Sequence, residues 1–209
     1  MTRRVALAGL LALVLTTPAR AGYITGVTAS TNMGTIGGSN IAHIVDGSGL
    51  SSQSLTATHD TGNTFDNAWA SASGTVTGQV NFDLHGSYSL VGMSVWNFNA
   101  NNMAGVQGVS VSTSTDGMTF TSLAGGPTMF AEGPLSSTEN AQQFTFLVTA
   151  AFVRFNITSN YGFSTNTALS EVAFDGTAVT TGVPAPPTLL LGLVGAGVTG
   201  VARLRRRGR

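Results

Sequence analysis

The chain has 209 residues, nine basic and nine acidic, with no lysine and no cysteine; that length suits one domain with a proper core, and the missing cysteines exclude a disulfide framework and thiol chemistry. Its charge is segregated. Eight of the nine bases sit in the two tails, so the segment from Gly22 to Gly182 holds Arg154 alone against all nine acids, a balance of +1 − 9 = −8, and a domain of that sign lacks the basic footprint that nucleic-acid binding needs.

Residues 1–21 open with Arg3 and Arg4, continue through an apolar run from Val5 to Leu15 and end in Ala19-Arg20-Ala21. This is the order of a signal peptide, with cleavage predicted before Gly22. The positions after the paired arginines fit the general secretory route better than a twin-arginine signal.

From Gly22 onward, short β-rich runs alternate with stretches of glycine, serine, threonine and asparagine. Residues 75–84 alternate cleanly, Val76, Val80, Phe82 and Leu84 on one face and Thr75, Thr77, Gln79, Asn81 and Asp83 on the other, which predicts a half-buried strand. Residues 88–98 read as a second strand, apolar on both faces, and 105–115 as a third. Asp116-Gly117 supplies a turn with positive φ, predicting a hairpin to residues 118–123. Further strands are expected over 142–149, 151–159 and 169–175. No segment of the domain sustains a 3.6-residue period with caps, so helices are expected to be brief. Seven or more such strands point to an antiparallel sandwich.

Residues 177–187 form a Thr/Gly/Pro linker, expected to stay extended. The uncharged run 188–202 follows, roughly 22 Å long as a helix and short of the ~30 Å hydrocarbon core, and then an arginine-rich end, residues 203–209. Those arginines should remain cytoplasmic, with the domain across the membrane. Gly195, Gly197 and Gly200 match a GxGxxG spacing, but no strand precedes them and no βαβ unit surrounds them.

An ordered set of short motifs carries a family resemblance. Ile44-Val45-Asp46-Gly47, Phe82-Asp83-Leu84, the VWNFN of 95–99, the STDG of 114–117, the FVRFNITSNYG of 152–162 and the LSEVAF of 169–174 occur in the order seen in discoidin-like, galactose-binding-like domains. The resemblance covers roughly residues 27–176 and implies an antiparallel jelly-roll β-sandwich whose loops bind at one end; the domain is taken as residues 22–176. The tail resembles the PEP-CTERM sorting signal, with Pro184-Ala185-Pro186 in place of the usual Pro-Glu-Pro, the apolar run, and Arg205, Arg206 and Arg207. That resemblance implies an exported protein of a Gram-negative bacterium, anchored in the inner membrane until an exosortase-type enzyme processes it, and destined for the cell surface or an extracellular polysaccharide matrix.

The discoidin-like resemblance also implies a structural Ca2+ held by Asp46 and Glu171, with loop carbonyls between them; hard oxygen donors suit that ion. The alternative is an Asx turn at Asp46 and a solvated Glu171. For carbohydrate, the candidates are Asn97 and Asn99, their neighbours Asn101 and Asn102, and Asn160 with Tyr161 after Ile157; asparagines also serve turns for backbone reasons alone. The loop from His59 to Asp66 reads as polar surface. Trp69 and Trp96 are expected in the core. Arg154 is expected to pair with an acid such as Glu171, or else to lie flat on an aromatic ring.

His43, His59 and His85 show no HxH or HExxH spacing, and there is no GxSxG, so no enzyme is expected. The expectation is a non-enzymatic, surface-sorted β-sandwich that binds matrix carbohydrate. The alternatives are a structural coat protein without a small ligand and a hydrolase accessory.

Overall fold

The computed structural model describes residues 21–180. The predicted signal peptide, the apolar run 188–202 and the sorting residues Pro184, Pro186, Arg205, Arg206 and Arg207 lie outside the described residues. Within them, ten strands occur in the order β1 (Gly22–Tyr23), β2 (Thr28–Thr31), β3 (Thr58–His59), β4 (Trp69–Ala70), β5 (Gly78–Asn97), β6 (Val109–Ser114), β7 (Thr121–Ser122), β8 (Glu139–Asn140), β9 (Gln142–Ile157) and β10 (Ala168–Ala178). The described helical structure is brief, as expected: two 3-10 turns at Ile41–Ile44 and Asn102–Ala104. None of the described helices is long and apolar enough to cross a membrane.

The frame is a long antiparallel ribbon of β5 and β9. The two runs predicted over 75–84 and 88–98 are one strand, interrupted where Asp83 pairs with Phe152 and Tyr88 with Ala150, so that four residues of β5 oppose Ala151 alone. Such a bulge bends a strand without ending it, and His85 sits in it at a positive φ, 54°, with its N–H on the Asp83 carboxylate at 2.8 Å. Runs 142–149 and 151–159 merge into β9 in the same way. The first half of β5 pairs with β2 and the second half with β10; β6 borders β9, and β1 and β4 lie on β10. Thr177 and Ala178, expected to open the linker, instead close β10 opposite Ser89 and Tyr88.

The alternation read from residues 80–84 holds: Val80, Phe82 and Leu84 are buried, and they meet Val153, Phe155 and Ile157 of β9 and Val109 and Val111 of β6 in one core. Phe82 meets Phe155 and Phe174 edge to face, at 4.9 and 5.3 Å between ring centres, the arrangement aromatic quadrupoles favour. The contact with Phe174 joins the first half of β5 to β10 across the core, which makes the fold a sandwich. Trp69 and Trp96 are fully buried, their indole N–H groups donating to the carbonyls of Gly34 and Ala57. The hairpin after β6 forms as predicted, with Gly117 at φ 73°, although its return strand shrinks to β7.

Of the two arrangements expected of Arg154, the aromatic one forms and the ion pair with an acid, among the described residues, does not. Its guanidinium lies 3.5 Å over the Phe120 ring and its Nε donates to Asn81 Oδ1 at 2.6 Å. Glu171 is closed to it, being buried on β10.

Candidate functional site

The candidate residues gather at two places on this frame. The first begins at the 3-10 turn Ile41–Ile44, capped by Asn40, whose side chain accepts the Ala42 N–H. The turn delivers Asp46-Gly47-Ser48-Gly49, where both glycines have positive φ, 78° and 81°, a conformation glycine adopts without steric cost. The loop thereby doubles back onto β10. The Gly47 N–H points at both oxygens of Glu171, at 3.2 and 3.3 Å.

Asp46 and Glu171, 125 positions apart in the chain, are thus brought together. The Asx turn given as the alternative also forms, with the Ser48 N–H on Asp46 Oδ1 at 2.8 Å, but Glu171 is fully buried rather than solvated. Its carboxyl is pushed up to about 9, by burial first and by the Asp46 charge second, with only the Gly47 N–H opposing. Tyr23 on β1 feels the same field: burial, then Glu171 and Asp46, push its hydroxyl up to about 12. Ser48 Oγ, in the same loop, is buried without a hydrogen-bond partner. A buried carboxyl next to a second acid and an orphaned hydroxyl form an oxygen-only donor set, and such a set suits Ca2+. Among the described residues no group of three or more His, Cys, Asp or Glu converges as a metal site, so further donors there would be hydroxyl and carbonyl oxygens.

The second place is one end of the sandwich, where four loops meet. Asn99 ties residues 60–62 to residue 137: its Oδ1 accepts the Gly62 N–H at 2.6 Å and its Nδ2 donates to the carbonyls of Asp60 and Ser137. Asn97 ties 106 to 131, donating to the carbonyls of Val106 and Ala131 while accepting from the Phe98 and Val106 N–H groups. Both asparagines are fully buried, and these bonds use the donors and acceptors that an amide has. The carbohydrate role expected of Asn97 and Asn99 is therefore corrected: they build the loop end and present nothing to a ligand.

Asn160 and Tyr161 lie at the same end, half-buried. Asn160 Nδ2 donates to the carbonyls of Phe163 and Asn166 and its Oδ1 accepts from Gly162; the Tyr161 hydroxyl donates to the Phe130 carbonyl at 2.6 Å. Burial, and the Glu132 charge after it, raise that hydroxyl above the usual tyrosine value. This end exposes Phe65, 60% accessible, at the tip of the loop read as polar, together with the aliphatic side chains of Leu135 and Met103. Its ring lies against Gly38, where any Cβ would come within 2.8 Å of it. Asn63 organises the tip, accepting the Phe65 N–H and donating to Asp66 Oδ2 at 2.6 Å. Sequence reasoning missed Phe65. Its signal was a lone aromatic in an otherwise polar run of turn formers.

A model of the F5/8 type C domain matches residues 27–172, a span that contains both loops and the whole bent ribbon. The chain belongs to that family. Its fold is similar to the family 32 carbohydrate-binding module of Clostridium perfringens NanJ in complex with galactose, at 14% identity and a TM-score of 0.54, covering 74% of this chain and 98% of that one. It is similar also to a chitosan-binding module of a chitosanase/glucanase from Paenibacillus sp. IK-5, at 20% identity and a TM-score of 0.51, covering 76% and 100%. A family 89 glycoside hydrolase of Clostridium perfringens matches at 18% identity and a TM-score of 0.52 over 76% of this chain, but this F5/8 type C chain spans only 15% of that enzyme's length. No curated protein gives a significant match. At these identities the structural likenesses show the fold.

Proposed function

We propose that this F5/8 type C chain is a non-enzymatic protein that binds carbohydrate through the loop end of its sandwich. The observation that carries the reading is Phe65, an exposed aromatic ring flanked by an amide and a carboxylate, on a fold shared with modules whose partners are galactose and chitosan. An aromatic face with a few polar neighbours in a shallow site is what a sugar ring requires. Asn160 and Tyr161 rim that end.

Asp46 and Glu171, with Ser48 beside them, are proposed to hold a structural Ca2+. The ion would neutralise the buried Glu171 carboxylate and fix the Asp46–Gly49 loop to β10. The proposal extends to address: the signal-peptide pattern and the Pro-Ala-Pro, apolar and arginine pattern support export, transient anchoring in the inner membrane and recognition by an exosortase-type enzyme, with extracellular polysaccharide as the partner. Mass spectrometry of the protein from its native host tests this part, since a mature C-terminus near Pro184 is expected and an intact Arg209 would contradict processing.

A glycan array probed with the full chain tests the binding. Galactose-type or amino-sugar ligands are expected to register, and Phe65→Ala is expected to weaken them about tenfold or more, a loss in line with removing an aromatic anchor from a site. Silence across matrix sugars would favour a structural coat protein.

A further inference from the structure

On the outer face of the sandwich the strand registers place two rows of side chains across four strands. One row is Ser30, Asn81, Arg154 and Ser112; the next is Thr28, Asp83, Phe152 and Ser114, on β2, β5, β9 and β6 in turn. Their neighbours in sequence, Val80, Phe82, Val153 and Phe155, are buried, so period-2 alternation turns Asn81, Asp83, Phe152 and Arg154 outward. Phe120, from the hairpin after β6, folds back under the guanidinium, and Phe152 lies against Gly117 of the same hairpin. The result is a surface pocket of about 340 Å³ lined by Arg154, Asn81, Asp83, Ser30, Phe120 and Phe152 among others.

Arg154 is held there in an unusual state. It is the sole base between Gly22 and Gly182, yet no acid pairs with it among the described residues. Its Nε donates to Asn81 and its plane lies on Phe120, which together orient the fork, and its terminal N–H groups have no acceptor among the described residues. Asp83 is turned elsewhere, accepting the His85 N–H and lying 3.7 Å from the His85 ring. A pre-oriented, unpaired guanidinium fork matches a planar carboxylate. The rings of Phe120 and Phe152 offer apolar faces for C–H groups, and Ser30, Thr28 and Asn81 offer partners for hydroxyls.

We propose that this pocket is a second binding site, distinct from the loop end, that takes a sugar residue bearing a carboxylate, with Arg154 as its anchor. A uronic acid supplies that combination of one charge, hydroxyls and C–H faces. The rest of the domain is acidic, so the single arginine makes the site selective for an acid seated at that point rather than for polyanions at large.

The test is a titration of the 15N-labelled full chain with digalacturonate and, separately, with its methyl ester, which keeps the rings and removes the charge. Digalacturonate is expected to shift the amide signals of Ser30, Asn81, Phe120 and Arg154, and the ester to bind about tenfold more weakly or worse, the usual scale for losing a charge-assisted bidentate contact. Arg154→Gln should abolish the shifts. Because that change also removes the contact with Phe120, Ser30→Glu, an exposed substitution that puts a competing carboxylate beside the pocket, serves as the second variant and should abolish them as well. Phe65→Ala should leave them in place, which separates this site from the loop end. Equal binding of acid and ester, shifts confined to residues 60–67, survival of binding in both variants, or no shifts with digalacturonate would each overturn the proposal.

Discussion

Stripping divalent cations from the protein with EDTA is expected to lower its Tm by roughly 5–15 °C, and millimolar Ca2+ to restore it; an ion present at 100–1,000 times its Kd contributes about 3–4 kcal/mol, worth about 2–4 °C per kcal/mol in a domain of this size. The cause is where Glu171 sits. Its carboxyl is buried on β10, faces a second acid across the Asp46–Gly49 loop, and has one backbone N–H for relief. Ionised burial without a compensating charge is costly, and the proposed cation would supply that charge and engage the orphaned Ser48 hydroxyl. Glu171→Gln should bring the melting temperatures with EDTA and with Ca2+ together, because it removes the charge and keeps an oxygen for the Gly47 N–H. Differential scanning calorimetry of both proteins decides it. A native Tm indifferent to EDTA would remove the cation from this loop.

The legibility of this chain follows the range of the forces involved. Residues 80–84 announced their strand because alternation is local, and Gly117 announced its turn because positive φ is a property of one residue. The continuity of β5 and β9 was hidden, since a bulge at 84–87 reads as a break in sequence and only the partner strand shows that pairing resumes. Asn97 and Asn99 looked like ligand-facing loop residues for the same reason. Their hydrogen bonds run to Asp60, Val106, Ala131 and Ser137, partners that no local pattern identifies. Asp46 and Glu171 were paired by resemblance; the structure puts the Gly47 N–H on Glu171, a contact 124 positions long that no local pattern identifies. Phe65 and Glu139 escaped notice because one exposed ring and one buried acid in polar runs leave no periodic mark. Arg154 was visible as the domain's lone arginine, but its ring partner, Phe120, stands on a different hairpin that no local pattern ties to it.

Glu139→Gln is expected to stabilise the protein at pH 8 by on the order of 2 kcal/mol while changing it little at pH 5, as follows from a carboxyl whose proton affinity differs between the folded and unfolded chain. Glu139 on β8 stands opposite His59 on β3. Both are buried. One carboxyl oxygen accepts the Asn97 N–H at 3.2 Å and lies 3.5 Å from Gln142 Nε2; the other has no partner, and neither has His59 Nε2. The His59 Nδ1 lies 2.6 Å from the Asp60 carbonyl, a contact in which the ring nitrogen donates. Burial, opposed by Asn97 and Gln142, pushes the Glu139 carboxyl up to about 7. Because that value exceeds the ~4.3 of an unfolded glutamate, the folded chain binds the extra proton between the two, and the stability Glu139 contributes is complete below the lower value and lost as pH rises through the upper one. Glutamine mimics the protonated acid, with an oxygen for Asn97 and a donor in place of the O–H. Urea melts of the native protein and the variant at both pH values isolate the effect, since every other titrating group is common to the pair. If the variant lost stability equally at pH 5 and pH 8, Glu139 would be an ordinary packing residue and the acid-side stabilisation would have to come from another group.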